Sequence, residues 1–220
     1  MPDLALRIQY EDDFIIAVDK PPGMVVHPTY KNKSGTLQDE VLRHLGDRDD
    51  VLPRIITRLD KDTTGLVLVA LTSEAHARVQ KDAHARRVTK EYLAIVRGTP
   101  DPPRGTIALP LARSPDDRRL VIVTPAGQAS ETRYEVLRSG GGRSLVRCEL
   151  LTGRTHQIRV HLMASGWPIV GDPTYGEPDA RLARQALHCW RVTLLHPITR
   201  EPLQIEAPMP ADMAEVEPRA

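Results

Sequence analysis

Two polar segments of the chain contain the residue types that could do chemistry. The first is Arg58-Leu-Asp-Lys-Asp-Thr-Thr-Gly65, which lies between Ile55-Ile56 and the apolar run Leu66-Val-Leu-Val-Ala-Leu71. Its position predicts a loop at the edge of a sheet, where ligands commonly bind, so Asp60 is a candidate catalytic carboxylate. A solvated turn aspartate is the more common interpretation of such a turn, and the residues alone leave both open.

A calcium loop is a third interpretation of the same segment. The spacing Asp60-x-Asp62-x-Thr64-Gly65 matches the beginning of an EF-hand. The acidic ligand required at roughly the twelfth loop position would fall on Leu71, and the second half of the loop is hydrophobic. A calcium site is therefore excluded.

The second segment is Leu151-Thr-Gly-Arg-Thr-His-Gln-Ile-Arg-Val-His161, which could bind anions or phosphates. His156 and His161 are separated by five positions, about 140° on a helix and opposite faces of a strand. This disfavours a metal pair and makes structural histidines the default. Arg159 allows two interpretations: a weak surface ion pair, or a partner that keeps a buried carboxylate ionised.

Tyr92, in Lys90-Glu-Tyr-Leu-Ala94, is one of only eight aromatic residues, and by itself it is typical of core packing. The chain has no phosphate-binding P-loop, no dinucleotide Gly-x-Gly-x-x-Gly after a strand, no Gly-x-Ser-x-Gly elbow and no zinc spacing of cysteines and histidines. These absences argue against nucleotide hydrolysis, dinucleotide chemistry, serine esterase chemistry and zinc catalysis.

Length and composition predict a soluble protein of one domain or two tightly fused lobes. The 220 residues are 40% hydrophobic and 27% charged. No apolar run approaches the roughly 20 residues that a membrane span requires. The first residues lack the pattern of a secretion signal, which predicts a cytoplasmic location. Cys148 and Cys189 are expected to be free structural thiols, since no paired-cysteine motif is present.

Charge is balanced overall but uneven along the chain. There are 30 basic and 29 acidic residues, whereas residues 54–97 carry nine basic and five acidic ones and residues 143–160 carry four and one. The part from Ile205 onward is acidic, with four acidic residues and one basic. This pattern is compatible with a basic working face, although scattered solvated charge would explain it more simply.

Periodicity and turn residues predict an α/β (α+β) protein with a mixed, mostly antiparallel central sheet and flanking helices. A hairpin is expected from Ile8 to Lys20, followed by a short helix with Thr36 as its N-cap. A buried strand over 66–71, a helix over 73–87 and a strand over 92–97 come next. The second half predicts further strands at 105–109, 118–124, 129–137, 144–151 and 190–195, and one helix that starts near Thr155 or Gln157 and ends at Ser165, before Gly166.

Four ordered segments together resemble the RluA family of pseudouridine synthases. They are Tyr10–Pro28, Arg58–Ala70, Lys90–Ala94, and Thr152–Leu162 with Gly166–Gly176. The last part of the chain, with Gln185-Ala-Leu-His-Cys-Trp190 and Ala207-Pro-Met-Pro210, resembles the closing strands of the family. The likeness covers residues 8–210, and it implies a pseudouridine synthase fold with an active-site cleft. On this basis residues 1–210 are expected to form the catalytic domain and 211–220 an acidic, frayed tail.

The resemblance also implies a role for individual residues. Asp60 corresponds to the catalytic aspartate, Tyr92 to the ring that stacks on the target uracil, and Arg159 to the cation that orients Asp60 and keeps it charged. Arg58 would fill the space that a flipped base leaves. Six residues are expected to contact RNA or substrate: Arg58, Thr64, Arg154, His156, Gln157 and Ile158.

The activity implied by the resemblance is isomerisation of specific uridines in structured RNA, ribosomal or transfer, with no metal and no cofactor. A monomer is expected, and the small RNA-binding S4 domain of many relatives is expected to be absent. Thr57 and Ala83 depart from the family pattern, which usually has histidine and an aromatic residue there. Two rival functions remain: a non-catalytic RNA-binding or ribosome-assembly factor with the same fold, and, less favoured, a glycosidase that uses Asp60 as nucleophile.

Overall fold

The computed structural model of the chain describes residues 6–30, 32–46, 51 and 53–219. The strands are β1 (Ile8–Glu11), β2 (Ile15–Lys20), β3 (Arg54–Ile55), β4 (Thr64–Ala70), β5 (Thr89–Arg97), β6 (Arg104–Ala108), β7 (Leu111–Arg113), β8 (Val121–Val123), β9 (Glu131–Gly140), β10 (Arg143–Leu150), β11 (Leu187–Leu195) and β12 (Pro202–Glu206). The helices are α1 (Leu37–Leu45), α2 (Ser73–His84), α3 (Gln157–Ala164) and α4 (Ala211–Ala214). None of the helices in these ranges is long and apolar enough to cross a bilayer.

The chain divides into two compact units. The first unit contains the described residues up to Thr89 together with Cys189–Pro208, and the second contains Lys90–His188 and the described residues from Met209 onward. In the first unit β2 pairs antiparallel with β1 and β4, and β12 pairs antiparallel with β11. In the second unit β5, β10, β9 and β6 form an antiparallel succession, and β7 and β8 form a separate hairpin.

The core of the first unit covers both faces of β2 and β4. Alternation along a strand sends successive side chains to opposite faces. Ile16 and Val18 belong to one cluster with Val41 of α1, whereas Ile15 belongs to another with Ala75 of α2. Strands covered on both faces carry continuous apolar runs, which explains why β4 is buried along its whole length.

Helix α1 begins where the sequence predicts. The Thr36 hydroxyl accepts a hydrogen bond from the Asp39 backbone at 3.3 Å, and the Asp39 carboxylate accepts one from the Thr36 backbone at 2.9 Å. This reciprocal pair satisfies two backbone donors that a helix leaves without partners. The predicted opening hairpin, the buried strand and α3 are also confirmed, while α2 ends at His84 rather than near Arg87.

The structure differs from the expectation of a frayed tail. Residues Ala211–Ala214 form α4, and Met213 and Val216 are fully buried. Asp212 forms a bidentate pair with Arg184 at 2.7 and 2.8 Å. Burial of the two apolar side chains and the ion pair together hold this acidic segment against the fold, since each apolar side chain removes its whole surface from water. The boundary at residue 210 stays a prediction.

Neither cysteine forms a disulfide and both are buried, as predicted. Cys148 lies on β10 and is 0% exposed, and Cys189 lies on β11 and is 1% exposed. Burial raises the pKa of the Cys148 thiol to about 12, because a thiolate is poorly solvated in an apolar interior.

Candidate active site

Asp60 lies in the loop that joins β3 to β4 in the first unit. The residue is part-buried, and Arg58 beside it is exposed. The Asp60 carbonyl accepts a hydrogen bond from the Thr63 backbone at 3.1 Å, which closes a turn directly after the carboxylate. The predicted polar loop before the buried strand is confirmed.

The first part of this loop is fastened to β4 at Leu68. The Ile56 and Thr57 backbones donate to the Leu68 carbonyl at 2.8 and 3.3 Å. The Thr57 hydroxyl accepts from the Leu68 backbone at 2.9 Å. Thr57, where the family pattern usually has histidine, therefore has a structural use in this chain.

The second part of the loop is fastened by Lys20, the last residue of β2. Lys20 is 0% exposed, and its Nζ donates to the carbonyls of Pro21, Met24 and Lys61 at 2.8, 2.9 and 2.8 Å. An ammonium has three hydrogens, so these three bonds match its donor capacity. Lys61 directly follows Asp60, so a buried lysine fixes the main chain next to the candidate carboxylate.

The loop enters β4 through a position that only glycine can occupy. Gly65 has φ of +106°, and a Cβ there would lie 2.2 Å from the Cys189 carbonyl oxygen. Thr64, a predicted substrate contact, is 2% exposed and is the first residue of β4. Thr64 is therefore a buried part of the sheet and does not lie on an open surface.

Tyr92 lies in the middle of β5 in the second unit. It pairs with Cys148 of β10, and it is 4% exposed. The strand position fixes the backbone of this tyrosine. A role in stacking on a base requires a face of the ring to become accessible when RNA binds.

The start of α3 is organised by Gln157. The amide oxygen of Gln157 accepts from the Thr152 hydroxyl at 2.8 Å and from the Arg154 backbone at 3.0 Å. Its amide nitrogen donates to the Glu131 carbonyl at 2.9 Å and to the Thr132 hydroxyl at 3.0 Å. These four bonds use the full capacity of an amide. Gln157 therefore holds the turn before α3, and its contact with substrate stays a prediction.

His156 is the N-cap of α3 and has a left-handed backbone, with φ of 53°. Its Nδ1 lies 2.8 Å from the Tyr175 hydroxyl, and the two rings meet edge to face. The same hydroxyl accepts from the Val121 backbone at 2.8 Å. Tyr175 therefore links the start of α3 to β8. Arg154 is exposed before the helix, and Ile158 is buried within it.

Arg159 is held by a buried ion pair with Asp172. Its Nε and Nη2 donate to the two carboxylate oxygens at 2.7 and 2.8 Å. Arg159 is 5% exposed and Asp172 is 0% exposed. Asp172 also accepts from the Thr174 and Tyr175 backbones at 2.9 and 3.1 Å. Burial alone would raise the pKa of Asp172, but Arg159 and the two backbone donors outweigh it and lower that pKa.

The ring of Tyr175 lies beside the same guanidinium, with the Arg159 Cζ 4.9 Å from the ring centroid. One edge of a planar guanidinium is thus directed at Asp172 and one face at an aromatic ring, which fixes its orientation. Sequence reasoning gave Asp172 and Tyr175 no role. The signal for Asp172 is indirect: a buried arginine requires a carboxylate, and Asp172 follows the turn residue Gly171.

The histidines of this region do not form a metal pair. His161 is fully buried, with Nδ1 2.9 Å from the Thr132 hydroxyl and Nε2 3.0 Å from the Leu109 carbonyl. Burial lowers the pKa of His161. Among the residues that the structure describes, no group of three or more histidines, cysteines and carboxylates could hold a metal ion.

The structure thus describes two sets of residues, one in each unit. The first unit presents Arg58 and Asp60 on an anchored loop. The second unit brings His156 and Arg159 together at the start of α3, with Asp172 and Tyr175 supporting them. Tyr92 stands on β5 of that unit.

The sequence of this chain is similar to one protein-family model and to individual proteins that are named for the same activity. A family model described as RNA pseudouridylate synthase matches residues 14–164. The chain is 44% identical, over 96% of its length, to the ribosomal large subunit pseudouridine synthase D of Nitrosomonas europaea, and it spans 64% of that relative. It is 41% identical, over 96% of its length, to an uncharacterized RNA pseudouridine synthase of Bacillus subtilis, of which it spans 71%.

Solved structures give the same result. The structure of human RNA pseudouridylate synthase domain containing 1 is 31% identical, with a TM-score of 0.78 over 94% of this chain and 85% of that one. The human domain containing 4 is 24% identical, with a TM-score of 0.76 over 94% of this chain and 90% of that one, and shows the shared fold.

Proposed function

Since the chain belongs to the RNA pseudouridylate synthase family, we propose that it converts specific uridines in RNA to pseudouridine, with Asp60 as its catalytic aspartate. The observation that carries this proposal is the placement of Asp60. The carboxylate stands within the residues matched by the family model, on a loop that Thr57 and Lys20 fasten on either side.

The proposed reaction suits a carboxylate without other reactive groups. The C1′–N1 bond of uridine breaks, the base turns, and C1′ joins C5, so the reaction has no net redox change and consumes no water. A charged carboxylate can attack the sugar, remove a proton from it, or stabilise positive charge at C1′. No cofactor is required by this balance.

Arg159 is proposed to act as the cation that orients the catalytic carboxylate. The support is its rigidity: Asp172 occupies Nε and Nη2, and Tyr175 lies against its face. A guanidinium held in this way has a fixed orientation. Tyr92 is proposed to stack on the target uracil after the base leaves the RNA stack.

Ribosomal RNA is the proposed substrate class, because relatives at 44% and 42% identity are named ribosomal large subunit synthases. Transfer RNA is the alternative pool. A monomer acting in the cytoplasm is part of the same proposal. Exposed Arg154 is the proposed phosphate contact, so RNA affinity should fall as salt rises, and exposed Arg58 is proposed to fill the space that the flipped base leaves.

Tritium release tests the proposal directly, because C5 loses its hydrogen when it becomes the glycosidic carbon. Wild type, Asp60→Asn and Asp62→Asn are incubated with ribosomal RNA and with transfer RNA that contain 5-tritiated uridine. Asp62→Asn is the matched control, since it removes the same charge from the same loop. We expect release by wild type and by the control, and a loss of about 1,000-fold or more in Asp60→Asn.

Binding of the same RNA separates catalysis from recognition. Asp60→Asn should bind within a few-fold of wild type, because one carboxylate is replaced by an amide of the same shape. Full activity of Asp60→Asn would refute the assignment of the carboxylate. Binding by wild type without release from either RNA would favour the assembly-factor function instead.

A further inference from the structure

Tyr30 is the one aromatic side chain of this protein that stands in solvent. All eight aromatic residues of the chain lie in the described ranges, and seven of them are buried or part-buried. Tyr30 is 93% exposed. An aromatic ring buries a large apolar area when it enters a core, and Tyr30 contributes none of that area to this fold.

The backbone under Tyr30 forms a closed turn. The Thr29 backbone donates to the Asn32 carbonyl at 2.8 Å, and the Asn32 backbone donates to the Thr29 carbonyl at 3.1 Å. The Asn32 backbone and side chain also donate to the Thr29 hydroxyl at 3.1 and 3.3 Å. Tyr30 is the first residue between these two. The Tyr30 ring therefore lies in solvent next to residues that these hydrogen bonds hold together.

The residues on either side tie this turn to α1. The Leu37 and Gln38 backbones donate to the carbonyls of Val25 and Val26 at 2.9 and 3.2 Å. The His27 ring lies 3.1 Å from the Gln38 amide oxygen. Because these hydrogen bonds already restrict the backbone on either side of Tyr30, binding of a ligand to Tyr30 costs less conformational entropy of the protein.

The sequence around Tyr30 is basic and polar. Between His27 and Thr36 the sequence contains two lysines and no acidic residue. One of them, Lys33, is described and exposed. The other large exposed hydrophobic residues of the described chain are Leu42, Ile122, Val123, Leu137 and Met163, and none of them lies in this segment.

An isolated exposed ring in a segment of basic sequence suits a nucleobase better than a protein surface. Protein docking sites gather several apolar and aromatic residues into a patch, which this segment lacks. A nucleobase offers a flat face of the size of one ring, and its phosphate is attracted to lysine. Stacking of this kind does not require a particular base.

We propose that Tyr30 stacks on an unpaired nucleotide of the substrate RNA, as a binding contact separate from the residues assigned to the reaction. The inference rests on the proposed function for the identity of the RNA. Tyr30 is a recognition residue that raises affinity and leaves the chemical step unchanged.

Three variants of the full chain test the proposal. Tyr30→Phe keeps the ring, Tyr30→Leu keeps apolar bulk without it, and Leu42→Ala removes another exposed apolar side chain of the same unit. RNA affinity is measured by fluorescence polarisation and turnover by tritium release. We expect Tyr30→Leu to raise Kd and KM about 5-fold or more with kcat unchanged. Tyr30→Phe and Leu42→Ala should stay within about twofold of wild type.

The outcomes are distinguishable. Unchanged RNA binding in Tyr30→Leu overturns the inference and leaves a protein partner as the occupant of the turn. Equal weakening in Tyr30→Phe and Tyr30→Leu assigns the effect to the hydroxyl and overturns stacking. If wild type releases no tritium while Tyr30→Leu still weakens RNA binding, the proposed function fails and the stacking contact stands.

Discussion

The two units hold their candidate site residues by different means. The loop of Asp60 is fastened through main-chain groups: the Lys20 Nζ and the Thr57 hydroxyl bind backbone atoms. Arg159 is fastened through side chains, with Asp172 in a bidentate pair and Tyr175 against the guanidinium. A backbone contact tolerates changes in neighbouring side chains, whereas a buried ion pair depends on both partners and on the ionisation of the acid. The two units should therefore respond differently to mutation and to acid.

The largest effect is expected from Asp172→Asn in the second unit. The change leaves the Arg159 guanidinium buried without its counter-charge, which should lower the free energy of unfolding by about 3–5 kcal/mol. Urea denaturation measures the loss. The control is Asp117→Asn, which removes an exposed bidentate pair with Arg119 and should change stability little. A loss no larger than that of the control would show that the ion pair does not hold Arg159.

The stability of the protein at low pH gives a second test of the difference between the two units. The pKa of Asp172 is lowered in the folded protein, while in the unfolded chain it takes its ordinary value of about 4. The unfolded chain therefore binds the proton first, and the stability from this pair is complete above about pH 4 and lost as pH falls through the lowered pKa. The stability difference between wild type and Asp172→Asn should shrink in that range. His161 is present in both proteins, so its titration cancels in the difference.

Lys20→Met should have the next largest effect, in the first unit. Three backbone carbonyls lose their donor inside the protein, which should cost about 2–4 kcal/mol of unfolding free energy. The control is Lys81→Met, since Lys81 is exposed on α2. Urea denaturation at pH 7 and at pH 4 measures both. Most of the loss should persist at pH 4, because the three acceptors are uncharged carbonyls. The part that changes with pH is assigned to Asp19, a carboxylate whose pKa is raised by burial and lowered in part by the Lys20 charge. A loss confined to pH 7 would remove the contrast between the units.

The smallest effect is expected from Tyr175→Phe. Loss of the hydroxyl removes the acceptor of the Val121 backbone and the partner of His156, at a cost of about 1 kcal/mol. Tyr134→Phe is the matched control, since its hydroxyl donates to the Pro102 carbonyl at 3.0 Å in the same unit. Both variants should lose similar stability in urea, but only Tyr175→Phe should also slow tritium release. Equal turnover in the two would limit Tyr175 to a structural role.

Local signals in the sequence predicted much of the fold. Thr36 as N-cap predicts the start of α1, and the run from Leu66 predicts a buried strand, because capping and periodicity are properties of neighbouring residues. β3 and β7 have two and three residues and were missed, since such lengths carry no period. β12 was missed as well, although Leu203 and Ile205 alternate with polar residues.

The candidate site was predictable in its residue types but not in its supports. Asp60 and Arg159 belong to long motifs, so the resemblance locates them. Their supports come from distant positions: Lys20 reaches the carbonyl of Lys61, 41 residues away, and Asp172 is 13 residues from Arg159. Gln157 shows a second structural use that the sequence did not predict: its motif predicts a substrate contact, and in the structure its amide also holds the turn before α3. Only the fold decides which polar groups are already used.

The burial of both thiols makes this protein convenient for site-specific labelling. Cys148 and Cys189 are the only cysteines of the chain, and each is at most 1% exposed. A maleimide therefore finds no accessible native thiol in the folded protein. Tyr30→Cys would introduce one accessible thiol at the tip of an anchored turn, so a dye or a photo-crosslinker can be attached there without first removing the native cysteines.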